Sequence, residues 1–316
     1  MKTVKVRTHS SYNGIRIVFI MVIAAAILFG GKTIRELWRG EEPQIESAAA
    51  FLIDAGTGEV LYEKNADEPL PPASMSKMMT EVLVLDYVHD GRIRWSDTVI
   101  PSAYAAQVPG ARMGIMEGYS LTVRELFDAM AIYSANDAAV ALAEHIAGTE
   151  AAFTAMMNEK ARSIGLSKDA VFGNATGLSR DDIREYEGAA SERDTLLTAK
   201  DTARLAGYLI GKYPEVLQIT SMGSVKVSTQ GQALAATNQM LAEKRFEYPG
   251  NDGLKTGYTP DAGYCFTGTV KQGGRRLISV VMGADSMDAR FIETKKLFEY
   301  GLHTGGTGEL KTALGY

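Results

Sequence analysis

Residues 78–85, Met-Met-Thr-Glu-Val-Leu-Val-Leu, are apolar on almost every side of a helical projection. A surface helix carries one apolar stripe; a helix apolar nearly all round has to be enclosed by other elements, so this chain builds a domain around a central helix. At the head of that helix stands Pro72-Ala73-Ser74-Met75-Ser76-Lys77. Side chains three apart share a helical face, so the Lys77 amine can reach the Ser74 hydroxyl. The positive end of the helix dipole at Ser74 favours a developing alkoxide. A serine N-cap followed by a solvated lysine has the same spelling, and S-x-x-K alone reads that way. Partners elsewhere in the chain decide between the two.

Two such partners follow in order. Ser134-Ala135-Asn136 falls in a break between two helical stretches, where its side chains can face a cleft, and Lys255-Thr256-Gly257 opens a strand-like region. S-x-N recurs at Ser11-Tyr12-Asn13 in the N-terminal flank, a decoy, but S-x-x-K and K-T-G occur once each. The ordered trio is the signature of penicillin-binding proteins and class A β-lactamases. The stretches Pro72 to Thr80, Asp252 to Thr259 and Ala262 to Phe266, with Phe172 to Leu178 and Thr237 to Leu241, resemble the low-molecular-mass D-alanyl-D-alanine carboxypeptidases. The resemblance runs from about Ser47 to Gly301.

The pattern along the chain gives an α+β architecture. Ser47 to Asp54 and Glu59 to Glu63 read as a hairpin around Ala55-Gly56-Thr57-Gly58. Thr122-Val123-Arg124-Glu125 is a capping box opening a helix through Tyr133. Helices are expected over Asp137 to Ala147, from the Thr149 cap to about Ile164, and over Ala199 to Gly211. Residues 92–121 and 167–196 read as irregular. Gly263 to Val270 and Arg275 to Ala284 pair through the Lys271-Gln272-Gly273-Gly274 turn, and a helix over Ala289 to Gly301 closes the chain. Two strands, a helical block, then strands and a helix make an antiparallel sheet with an inserted helical subdomain. By resemblance this is the β-lactamase/transpeptidase-like fold. The expected organisation is a flank, membrane segment and spacer at 1–44, the peptidase domain at 45–303, and a flexible tail at 304–316.

The chemistry these groups allow is acyl transfer through Ser74. Burial beside Lys255 would lower the Lys77 pKa, so that a neutral amine takes the Ser74 proton. Ser134 is expected to relay the proton to the leaving nitrogen, and Asn136 to hold Lys77 and the substrate amide. Lys255 and Thr256 are expected to bind the substrate's terminal carboxylate, with Gly257 letting its backbone lie close. The resemblance implies an oxyanion hole of the Ser74 and Tyr258 N–H groups, and a further carboxylate contact at Arg290 (alternatively an exposed helix arginine). It implies D-Ala-D-Ala cleavage of peptidoglycan stem pentapeptides, with β-lactams as covalent inhibitors. Cys265 and the methionines at 78, 79, 156 and 157 read as core packing, and His145 as a structural residue of its helix.

Charge and compartment narrow the classes. Lys and Arg number 33 against 38 Asp and Glu, a net charge of −5, with no basic stripe, so nucleic acid is not an expected partner. Four histidines lack metal-ligand spacing, so no metal or cofactor is expected, and one cysteine permits no internal disulfide. Lys2, Lys5, Arg7 and Arg16 precede an uncharged run from Ile17 to Gly31, which directs the segment into a membrane with its start in the cytoplasm. The run suits either a retained anchor or a cleaved signal. Its end lacks a small-x-small cleavage site, which favours the anchor and a catalytic part outside the cytoplasmic membrane. The chain also stops before the C-terminal β-domain and amphipathic helix of many relatives, again favouring an N-terminal anchor.

Other readings share part of the pattern. A D,D-endopeptidase on crosslinked peptidoglycan carries the same motifs. A β-lactamase needs a deacylating glutamate in an E-x-x-L-N-type setting, whereas Thr149-Glu150 opens a helix. A penicillin sensor or wall-binding module would bring an effector domain or lose Ser74 or Lys77. One departure from the family stands out: the histidine-tyrosine pair usual after Leu178 is absent and about ten residues are added before Thr198-Ala199-Lys200-Asp201. In the family that loop borders the cleft, so it bears on substrate preference and deacylation.

Overall fold

The computed structural model describes residues 41–228 and 233–304. The described residues from Pro43 to Thr304 form one compact unit; the apolar run at 17–31 and the tail beyond Thr304 lie outside the described residues. Among those described, no helix is long and apolar enough to cross a membrane.

In chain order the elements begin with β1 (Ala49–Asp54) and β2 (Val60–Lys64), then a 3-10 turn (Ala73–Ser76) running into α1 (Lys77–His89). The helical block continues through β3 (Thr98–Val99), α2 (Ala103–Gln107), β4 (Leu121–Thr122), α3 (Val123–Tyr133), α4 (Asn136–Ala147) and α5 (Glu150–Ser163). It ends with α6 (Arg180–Ile183), α7 (Ala199–Lys212), α8 (Val216–Thr220) and the short pair β5 (Ser224–Val225) and β6 (Leu234–Ala235). β7 (Asn251–Thr259), β8 (Gly263–Gln272), β9 (Arg275–Ala284) and α9 (Met287–Thr304) complete the fold.

The sheet order is β2-β1-β9-β8-β7, antiparallel throughout, so the first hairpin and the last three strands join across the helical block. Because strand side chains alternate, β1, β8 and β9 each supply two cores. Ala50, Leu52, Phe266, Leu277 and Val281 pack with Phe291, Leu297 and Phe298 of α9. Ala49, Phe51, Cys265, Ile278, Val280 and Met282 join the helical side. Both faces of the sheet are therefore covered, and β7 is left as its terminal strand.

The helix expected to be central is. Lys77 through Asp86 are ten consecutive buried residues, and α1 is surrounded by α3, α4, α5 and α7. Its far end is fixed by Asp86, which pairs with Lys160 at 2.6 Å and Lys212 at 2.7 Å and accepts from the Tyr213 hydroxyl. The expected capping box forms, with Thr122 and Glu125 bonded reciprocally at the head of α3. The irregular stretches hold elements too short for periodicity to reveal. α2 and β3 lie in residues 92–121, with β4 at their end, and α6 lies in 167–196, where Ser179 and Asp182 form a second capping box. α9 runs to Thr304, three residues past the expected end.

Candidate active site

Ser74 lies in the 3-10 turn rather than in the α-helix proper, and Lys77 is the first residue of α1. The i, i+3 relation survives this shift, since a 3-10 turn brings i and i+3 into line even more directly. Lys77 Nζ lies 2.7 Å from Ser74 Oγ. It donates to Asn136 Oδ1 at 2.6 Å and to the Thr176 carbonyl at 2.7 Å. Those three oxygens surround the amine; Ser134 is not among them.

The geometry of that amine decides what it can do. A neutral amine has two N–H groups and one lone pair. Asn136 Nδ2 donates to the Pro109 carbonyl at 2.7 Å, which turns Asn136 Oδ1 toward Lys77. An amide oxygen and a carbonyl can only accept, so they take the two N–H groups. The lone pair then points at Ser74 Oγ, the one neighbour with a proton to give. Lys77 is fully buried, and its pKa is held well below the ordinary lysine value, chiefly by burial and next by Lys255. Glu81, Asp137 and Glu150 pull the other way.

Asn136 and Ser134 sit where α3 ends and α4 begins. Ser134 takes a left-handed conformation, φ 73°, as the C-cap of α3, and this reverses the chain so that Asn136 opens α4. Asp137 accepts from the Met113, Gly114 and Ile115 backbone N–H groups at 2.9–3.2 Å. The Asn136 N–H donates to the Ala111 carbonyl at 2.7 Å. The 109–115 loop is thereby tied to this junction.

Sequence reasoning assigned no role to Thr176, although it singled out Phe172 to Leu178. Asn174 Oδ1 accepts from the Thr176 N–H, the Thr176 hydroxyl and the Gly177 N–H, and its Nδ2 donates to the Leu178 carbonyl. That turn aims the Thr176 carbonyl at Lys77. The visible signal was an asparagine three residues before a glycine, a turn-former ahead of a residue at φ +79°. The segment is fixed from behind by Glu150, the first residue of α5 and fully buried. Its carboxyl accepts from Ala175 N–H at 3.1 Å, Ala190 N–H at 2.8 Å and the Tyr104 hydroxyl at 2.9 Å. Ala190 belongs to the added loop, so one carboxyl organises both the turn and the loop. Glu150→Ala strands three buried donors, each costing about 1–3 kcal/mol. Its expected results are a melting temperature lower by roughly 6 °C or more and faster amide exchange at Ala175 and Ala190, read by hydrogen-exchange mass spectrometry.

On the opposite wall Lys255 and Thr256 are buried on β7. Lys255 Nζ donates to the Thr256 carbonyl at 3.3 Å, and the Thr256 hydroxyl donates to that of Thr237 at 2.7 Å. The Lys255 pKa is lowered to about 8, first by burial; Glu81 raises it and Arg290 lowers it. Gly257 touches the Ser74 turn: a Cβ there would lie 2.5 Å from the Pro72 carbonyl oxygen and 3.2 Å from Ser74 N. Only glycine lets β7 come this close. Tyr258 is half-exposed and stacks on Tyr264, with ring centroids 4.4 Å apart.

Arg290 is not the exposed helix arginine that was one reading of it. It is buried on α9, where Nη1 donates to the Gly257 carbonyl at 3.1 Å and to the Cys265 carbonyl at 3.4 Å, bracing β7. Cys265 is buried, its thiol pushed up to about 11 mainly by burial. It stands opposite Gly257 in the β7–β8 ladder.

Comparison with known proteins agrees with this arrangement. Residues 38–286 match the family model described as D-alanyl-D-alanine carboxypeptidase, peptidase S11. The chain is 38% identical over 265 residues to the D-alanyl-D-alanine carboxypeptidase DacF of Bacillus subtilis, covering 83% of this chain and 64% of that protein. It is 34% identical over 272 residues to DacC of Escherichia coli, covering 83% of this chain and 62% of that one. It thus spans somewhat less than two thirds of the length of these curated relatives. Among solved structures, the ampicillin-bound penicillin-binding protein D2 of Listeria monocytogenes superposes with a TM-score of 0.70 at 36% identity, covering 83% of this chain and all of that one. PBP3 of Streptococcus pneumoniae, described as a peptidoglycan synthesis regulatory factor, gives 0.76 at 38%, covering 82% and 72%. The match takes in both walls of the site and the sheet that joins them, and the chain belongs to the S11 family of D-alanyl-D-alanine carboxypeptidases.

Proposed function

We propose that this chain is a serine-type D-alanyl-D-alanine carboxypeptidase that trims peptidoglycan stem pentapeptides through an acyl-enzyme on Ser74. The observation that carries the reading is the amine of Lys77, 2.7 Å from Ser74 Oγ with its two N–H groups engaged elsewhere. Ser74 Oγ attacks the carbonyl of the penultimate D-alanine as its proton passes to Lys77. Ser134 relays that proton to the leaving nitrogen, so the C–N bond breaks and free D-alanine departs. Water then hydrolyses the ester. The backbone N–H groups of Ser74 and Tyr258 hold the oxyanion.

Lys255 and Thr256 receive the terminal carboxylate, and the stem peptide lies along β7, the terminal strand, with Gly257 allowing close approach. Arg290 serves the carboxylate site from behind, by bracing the Gly257 carbonyl. β-Lactams mimic the D-Ala-D-Ala amide and acylate the same oxygen. The basic flank and apolar run at 17–31 support attachment to the cytoplasmic membrane with residues 45–303 on its outer side, where peptidoglycan lies.

The test is mass spectrometry of the whole chain incubated with diacetyl-L-Lys-D-Ala-D-Ala, with and without penicillin. The expected result is release of one D-alanine, abolished when penicillin adds covalently to Ser74, and no adduct on Ser74→Ala. A penicillin adduct without D-alanine release would replace the carboxypeptidase reading with an endopeptidase or a sensor. Absence of any adduct on Ser74 would overturn the nucleophile itself.

A further inference from the structure

One turn beyond Lys77 on α1, Glu81 is 1% exposed, and its Oε1 has no hydrogen-bond partner. A buried carboxyl left this way is costly, and an apolar side chain of the same volume would pack there without that cost. Nothing in the packing of α1 calls for an acid. The electrostatics of the site do. Lys77 and Lys255 are two amines, 0% and 1% exposed; Lys255 shares with Gly257 the face of β7 that meets the Ser74 turn, and its charge disfavours that of Lys77. The site needs them in opposite states, one neutral to take a proton and one cationic to receive a carboxylate.

Glu81 breaks that tie. Lys255 on β7 acts on its carboxyl more strongly than Lys77 on its own helix does. The other charged groups acting on the two amines are Asp137 on α4 and Glu150 on α5, which favour charge on Lys77, and Arg290 on α9, which disfavours it on Lys255. Of the groups that favour charge, Glu81 alone acts on Lys255 as well as Lys77. We propose that Glu81 is a positioning residue that acts through Lys255, keeping that amine cationic while Lys77 beside it stands neutral. This rests on the roles given to Lys77 and Lys255 above.

Burial raises the Glu81 carboxyl and lowers the Lys255 amine, and on the alkaline side, where Lys255 gives up its proton, the Glu81 carboxylate is present to oppose that loss. Removing it lets Lys255 lose its proton at lower pH. The experiment is the pH profile, from pH 5 to 10, of the second-order rate of Ser74 acylation by a fluorescent penicillin, on the full chain and its Glu81→Gln and Glu81→Met variants. In both variants the alkaline limb is expected to move down by about one pH unit, the scale of a unit charge acting across a buried site. At pH 9 that is a loss of up to about tenfold.

Melting temperature supplies a second reading. The folded state prefers the protonated carboxyl, so the penalty Glu81 imposes is absent below the ordinary glutamate value of 4.5 and full above about 7. Glu81→Met is therefore expected to melt higher than wild type at pH 8 and not at pH 4.5. Variant profiles that superimpose on wild type, or that fall equally at every pH, would overturn the proposal while leaving Ser74 and Lys77 in place. A wild type that penicillin does not acylate would remove the functional reading, and this proposal with it.

Discussion

Lys77→Ala, and the closer isostere Lys77→Met, slow acylation of Ser74 by penicillin at least about a hundredfold, as expected for loss of a general base. On the barrier this is about 2.7 kcal/mol. The two variants separate base from packing. Alanine leaves a cavity at the head of α1 and strands Asn136 Oδ1 and the Thr176 carbonyl. Methionine fills the space and strands the same acceptors. If the amine matters as a base, the two are equally slow, although alanine is the less stable. Wild-type acylation also climbs with pH as Lys77 sheds its proton, and the variants lose that acid limb.

The sign of the stability linkage follows from the same group. The folded state holds Lys77 below the value of 10.5 it has when unfolded, so the unfolded chain binds the extra proton between the two. Wild-type stability therefore rises with pH through that window, and both variants lack the rise. Normal turnover by Lys77→Met would sink the mechanism.

Gly177→Ala is expected to be the most disruptive single methyl in the site. Gly177 has φ +79°, and a Cβ on it would lie 2.1 Å from the Ala73 carbonyl oxygen and 2.3 Å from Ser76 Oγ. The left-handed conformation alone costs a non-glycine residue about 1–2 kcal/mol. The collision is with the backbone of the turn that carries Ser74, so the 174–178 turn must move off it. The Thr176 carbonyl then leaves Lys77. We expect a loss of about 3 kcal/mol or more, a melting temperature lower by roughly 6–12 °C, and acylation slowed about tenfold or more as the lone pair of Lys77 loses its aim. Gly148→Ala is the control, with φ +81° at the end of α4 and nothing within 4 Å of the added methyl. It is expected to carry the conformational cost alone, with unchanged acylation. Equal melting temperatures for the two variants would mean that the close approach to Ala73 contributes nothing.

Much of this protein can be read from local spacing. The run at 78–85 announced an enclosed helix because no side of it was polar enough to face water, and α1 is enclosed by four helices. Thr122 and Glu125 announced a capping box because the cap needs an acceptor and an acid three residues apart. Gly273-Gly274 joined two alternating runs into β8 and β9. Ser74 and Lys77 face each other because a helical turn lines up every third residue, and that holds even though the turn is 3-10.

Other features depend on where distant segments meet. The third oxygen on Lys77 is a main-chain carbonyl 99 residues away, and a carbonyl has no signature in sequence. Glu81 belongs to a run that reads as apolar; that it is a buried acid on which both Lys255 and Lys77 act follows only from the fold. Arg290 could be an exposed helix residue or, by resemblance, a carboxylate contact, and the packing of α9 behind β7 made it a brace on the Gly257 carbonyl. The sequence by itself determined the longer elements, their order and the motif-bearing residues, because these are set by periodicities of a few residues. The tertiary structure alone decided which amine keeps its proton, since that depends on burial and on charges that only folding brings together.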